Sequence, residues 1–113
     1  MDKIKNYLDQ LQAFYKLYSL NLTQGTEILI IQIIDKGNLI FESIEKGKTF
    51  NESKILEPLL FIFKKVNTIL AILKLTFAKN DLIGILQSLE EHISEFIIAN
   101  YKYDFEIEED DED

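Results

Sequence analysis

The side chains best able to do chemistry gather near position 92. His92 is the only histidine, Glu91 precedes it and Glu95 follows three residues later. An imidazole among carboxylates can bind a metal ion or carry a proton. Helical di-metal centres take Glu-x-x-His pairs from two helices, with further Glu residues from the others. Position 89 is Leu and no second His exists, so that ligand set is incomplete and a solvated helix face explains His92 more simply. Asp35 is the best single carboxylate for acid–base work, because it follows the Ile-rich run 28–34. Such work needs a second acid held nearby in an apolar pocket, and a helix-surface position accounts for Asp35 with less. There is no Cys, hence no thiolate nucleophile, disulfide or Cys-based metal site. A Gly-rich phosphate loop, a Ser-centred elbow and a catalytic Lys frame are also missing from the sequence. The expectation is a non-enzymatic chain that uses no cofactor and no metal.

Charge and aromatic residues offer binding chemistry instead. Residues 1–103 hold twelve acidic side chains and twelve lysines, and residues 104–113 hold eight acids with no base. The net charge of −8 is therefore carried by the last ten residues. Direct nucleic-acid binding is disfavoured, since no basic stripe exists and the acidic end repels phosphate. Just before and within that end, Tyr103, Phe105 and Ile107 alternate with Asp104, Glu106 and Glu108. Such a segment can add to a sheet edge or lie in a groove as an extended peptide. The plainer reading is a solubilising tail, kept disordered by its own repulsion. Tyr7, Tyr15 and Tyr18 are expected at the edge of a core with their hydroxyls in water, or alternatively on a partner-binding stripe.

The elements that position these residues are helical by their spacing. Ile4, Leu8, Leu11, Tyr15, Tyr18 and Leu22 step by 4, 3, 4, 3 and 4, which places them on one face. Gly25 suits a helix stop, and Thr23 or Thr26 suits the next N-cap. From Glu27 to Lys46 the apolar positions Ile30, Ile34, Phe41 and Ile44 again fit a helix. A β-hairpin turning at Asp35-Lys36-Gly37-Asn38 is the alternative, although neither flank alternates as a half-buried strand should. A helical turn over Glu52–Leu56 is expected to kink or restart at Pro58. Leu59, Phe63, Val66, Leu70, Leu73 and Phe77 define a third long helix; Ile62, Ile69 and Ile72 widen its apolar face. Asp81 suits the N-cap of a fourth, built on Leu82, Leu86, Leu89, Ile93 and Phe96.

These elements predict an all-α fold, an antiparallel up-down bundle of four main helices spanning 1–103 with a disordered acidic tail at 104–113. The most apolar runs are much shorter than the ~20 residues of a membrane span, so a soluble, cytoplasmic protein without membrane contact is expected. Hydrophobic residues make up 47 % of the chain, with eighteen Ile and sixteen Leu. That excess suggests a surface for another protein or for a second copy of the chain. The residues singled out for it are Ile30, Ile33, Phe41, Phe61, Ile62 and Ile69, with Tyr101, Tyr103 and Phe105 from the C-terminal end.

One stretch resembles the flagellin export chaperones, small helical bundles of flagellar assembly. Thr23, Glu27, then Leu29, Ile30, Ile31, Ile33, Ile34, Asp35 and Gly37 stand in the register of that family's early signature. Phe41, Ile44, Glu45 and Gly47 continue it, so the likeness spans residues 15–50. The chain departs from the pattern at Ile34, where the family has an aromatic, and at Lys36, where it has Gly. The resemblance implies a bundle whose apolar grooves hold amphipathic segments of a client protein. The expected function is thus a protein-binding, chaperone-like adaptor. The alternatives are an acidic inhibitor that occupies a basic surface of its target, and a structural homodimer.

Overall fold

The computed structural model describes residues 1–46, 52–73 and 80–102. Four long helices account for most of them: α1 (Asp2–Tyr18), α2 (Gln24–Glu45), α3 (Glu57–Leu73) and α4 (Asn80–Tyr101). No strand occurs among the described residues. The segment weighed between helix and hairpin is one unbroken helix of 22 residues. Its Ile-rich run buries Ile30, Ile33 and Ile40 at helical spacing, and a hairpin would have forced half of that run into water.

Each helix packs on its neighbours in the chain, and α1 closes the ring against α4. Pairings along α1 show the direction of its neighbours. Lys5 meets Phe41 while Tyr15 meets Glu27, so α2 runs antiparallel to α1. Tyr7 stacks on His92, and Leu17 and Tyr18 share a groove with Asp81 and Gly84, so α4 is antiparallel to α1 as well. The core is the interior of this ring. It contains Leu8, Leu11 and Phe14 of α1, Ile62, Val66 and Ile69 of α3, and Leu86, Leu89 and Ile93 of α4.

Two connections differ from what the residue types suggest. Gly25 does not stop α1; it lies in the first turn of α2. α1 ends instead in a 3₁₀ turn, Ser19–Asn21. Thr23 then caps α2, its hydroxyl oxygen accepting the N–H of Thr26 at 3.3 Å. The side-chain cap supplies the signal that glycine was expected to give. Asp81 likewise sits inside the first turn of α4 rather than before it. There its charge still faces the positive end of the helix dipole.

Ahead of α3, Glu52–Leu56 forms a π-helical turn that runs directly into the helix. Pro58 takes the second position of α3. The winding changes from π to α at Leu56–Glu57, just before the proline, so the helix restarts there as expected. The turn contacts α2, α3 and α4 together and buries Ile55 and Leu56, which plugs one end of the bundle. The aromatic–acidic end, Tyr103 onward, lies outside the described residues, as does Phe77.

Candidate docking groove

The flank between α1 and α4 is incompletely filled. A groove of about 640 Å³ runs there, lined by Tyr7, Gln10, Ala13, Phe14, Leu17 and Tyr18 from α1 and by Asp81, Gly84, Ile85 and Ser88 from α4. It is shallow and open, and the opening comes from residue size. Ala13, Gly84 and Ser88 are small, and a Cβ placed on Gly84 would meet nothing within 4 Å. Its walls are apolar and aromatic. Leu17 is 75 % exposed, and Leu20, in the turn that follows, is 98 % exposed. Phe14 forms a buried floor and tilts against Tyr18, ring centroids 4.8 Å apart. Gln10, Asp81 and Ser88 place polar groups among these walls.

Tyr7 ends the groove, stacked on His92 with centroids 5.3 Å apart. His92 Nδ1 stands 3.8 Å from Glu95 Oε2. The histidine is thus a packing partner of α1 rather than a free surface group. No cluster of three His, Asp or Glu that could hold a metal ion occurs among the described residues. Asp35 is exposed on α2 and lines neither of the two clefts beside α1.

The opposite flank of α1, against α2, holds a smaller and more enclosed cleft. Gly37 lets the two helices approach: a Cβ there would lie 2.9 Å from Leu8 Cδ1. A cleft of about 220 Å³ remains, lined in part by Lys5, Asp9, Phe41, Glu42 and Glu45. Lys5 is 3.2 Å from Asp9 and its Nζ lies 5.9 Å from the Phe41 ring centre. At the far end Tyr15 donates to Glu27 at 3.0 Å. That bond, followed by burial and the negative charge of Glu27, raises the Tyr15 pKa above the ordinary value.

The structure disperses the residues singled out for partner contact. Ile30, Ile33, Ile62 and Ile69 are wholly buried, sealed between α2, α3 and the rest of the core. They form no open wall. Phe41 is half-buried in the α1–α2 cleft. Phe61 is half-buried beneath two ammonium groups, Lys36 Nζ at 5.0 Å and Lys65 Nζ at 5.1 Å from its ring centre. Tyr101 packs edge-on to Phe96, 6.3 Å between centroids. Tyr103 and Phe105 fall outside the described residues. Tyr7 and Tyr18, weighed as a binding stripe, do line the open groove. Leu17, Ala13, Gly84 and Ile85 carried no expectation. Their signal was Leu17 and Leu20, apolar residues placed off the α1 stripe.

The arrangement defines a class: an antiparallel four-helix bundle with a cleft on each flank of α1. No family model and no solved structure matches the chain. It is 94 % identical over 113 residues, the whole of both chains, to the uncharacterized protein UU148 of Ureaplasma parvum serovar 3, and it belongs to that protein's family.

Proposed function

We propose that the chain is a non-enzymatic, chaperone-like adaptor that takes an amphipathic helix of a partner protein into the α1–α4 groove. The observation that carries this reading is the open space over Gly84 beside the exposed Leu17. A helix laid there would cover Leu17 and Ile85 with its own residues spaced i, i+3, i+4 and i+7. The gain is about 25 cal/mol for each Å² of apolar surface removed from water, before the cost of association. Gln10 and Ser88 can bond to the partner's polar groups and fix its register. The likeness of residues 15–50 to flagellin export chaperones accords with this mode of client holding. A cytoplasmic location is part of the same reading.

A second reading rests on the uneven charge. Twelve acids balance twelve lysines in residues 1–103, so the eight further acids could let the last ten residues occupy a basic surface of a target.

The test is affinity capture from the native host with three baits: the full chain, a Gly84→Phe variant and a chain ending at residue 103. The groove reading expects a partner held by the full and shortened chains and lost from Gly84→Phe. A partner lost only on shortening, and released steeply by salt, would instead establish the acidic inhibitor. Light scattering over a concentration series identifies the remaining occupant, a second copy, by a mass that rises with concentration.

A further inference from the structure

The outer shoulder where α2 meets α3, away from the α1–α4 groove, carries a second set of unfinished interactions. Lys36 and Lys65 come from different helices and converge on Phe61. Neither lysine forms an ion pair with a carboxylate among the described residues, whereas Lys5 and Lys46 are paired with Asp9 and Glu42. The two ammonium groups flank one ring, so an anionic segment lying over Phe61 can meet both. On the same outer side Leu39 is 55 % exposed, an apolar neighbour for whatever covers the lysines.

We propose that the acidic segment 103–113 of the same chain docks on this shoulder, its carboxylates on Lys36 and Lys65. Charge complementarity is one support: the segment holds eight acids and no base. Geometry is the other. α4 ends at the pole of the bundle where α1 and α3 begin, and Phe61 stands four residues into α3 from Glu57, about 6 Å along the axis. Eleven residues reach up to about 36 Å when extended, enough to cross α3 from that pole. Lys102 starts the crossing with a left-handed backbone, φ 53°, at the end of α4. That conformation is unusual for a residue with a Cβ and turns the chain off the helix axis. Early residues of the segment, Tyr103 and Phe105, then fall near the pole, and the acids from Glu108 onward fall at the lysines. This docking is independent of the groove reading, since it uses the other side of the molecule.

The chain has no cysteine, so Asp113→Cys gives a unique point for a spin label on the full-length protein. NMR at about 0.02 M salt is expected to show the amide signals of Lys36, Phe61 and Lys65 reduced at least by half relative to the reduced label. The loss is expected to vanish near 0.5 M salt, where charges are screened over a few Å, and in the variant Lys36→Glu/Lys65→Glu, whose helicity circular dichroism verifies. A mixture of isotope-labelled chains without spin label and unlabelled chains with it is expected to show no broadening. Undiminished signals at low salt, broadening centred on the α1–α4 groove, persistence at high salt, or broadening in the mixed sample would each overturn the proposal. The last of these would assign the shoulder to a second copy.

Discussion

α1 meets a different neighbour on each flank, and a glycine marks each meeting. Against α2, Gly37 stands where the Leu8 side chain presses closest, and the helices share a close approach. Against α4, Gly84 stands over empty space, with Leu17 left in water. The same residue type therefore has opposite meanings. At Gly37 the missing Cβ makes contact possible; at Gly84 it leaves room for something else. Glycine in a helix interior costs roughly 1 kcal/mol against Ala, which close packing offsets at Gly37 and nothing within the described chain offsets at Gly84.

The largest effect that could break this contrast is a pair of truncations on α1. Leu8 is 7 % exposed and packs against Gly37. Leu8→Ala is expected to cost about 2–4 kcal/mol, the transfer term plus a cavity. Leu17→Ala removes the same atoms from a side chain already in water, and is expected to change stability by less than about 0.5 kcal/mol. Urea denaturation followed by helical circular dichroism reads both values. Similar costs at the two sites would mean that the α4 flank is filled in solution.

An intermediate effect comes from filling each glycine. Gly37→Leu drives a side chain into Leu8 and is expected to destabilise by about 1–3 kcal/mol through overpacking. Gly84→Leu meets no neighbour and is expected to stabilise by about 0.5–1 kcal/mol through helix propensity. Thermal unfolding of the two variants should therefore move in opposite directions from the parent. A loss of stability at Gly84 would place it in a packed interface.

The stripes of α1, α3 and α4 were legible because burial on one face leaves a spacing of three and four that no other element shares. The helical state of α2 was legible for the same reason, even though its Ile content suits a strand. The open groove was not. Ile30, Ile33, Ile62 and Ile69 looked like surplus apolarity, but each helix of a closed ring packs on two neighbours. Its buried arc is therefore wider than a single stripe, and these four residues fill that arc. The groove hid among residues that look like filler. Whether Ala13 or Gly84 touches a neighbouring helix depends on interhelical spacing, which the larger residues around them set and which no local pattern encodes. Gly25 misled for a related reason: a side-chain cap at Thr23 and a 3₁₀ turn ended one helix and began the next without a left-handed glycine.

The smallest expected effect tests how firmly the α1–α2 flank is fastened at its far end. The hydroxyl of Tyr15 donates to Glu27 Oε1 at 3.0 Å, and this bond is the main cause of the raised Tyr15 pKa. The folded chain therefore holds that proton more tightly than the unfolded chain does. The resulting stability is fully present below the unfolded tyrosine value of about 10. It fades as pH rises through the higher folded value, because the phenolate can no longer donate and repels Glu27. Tyr15→Phe keeps the ring and removes the titrating group. Urea midpoints measured from pH 8 to beyond the tyrosine range should fall less steeply on the alkaline side in the variant than in the parent. The hydroxyl is close to solvent, so the difference is expected to be small beside the Leu8 and Gly37 effects. Parallel curves would mean that Glu27 does not hold Tyr15 in solution, and the α1–α2 flank would then rest on the Leu8–Gly37 approach and the Lys5–Phe41 contact.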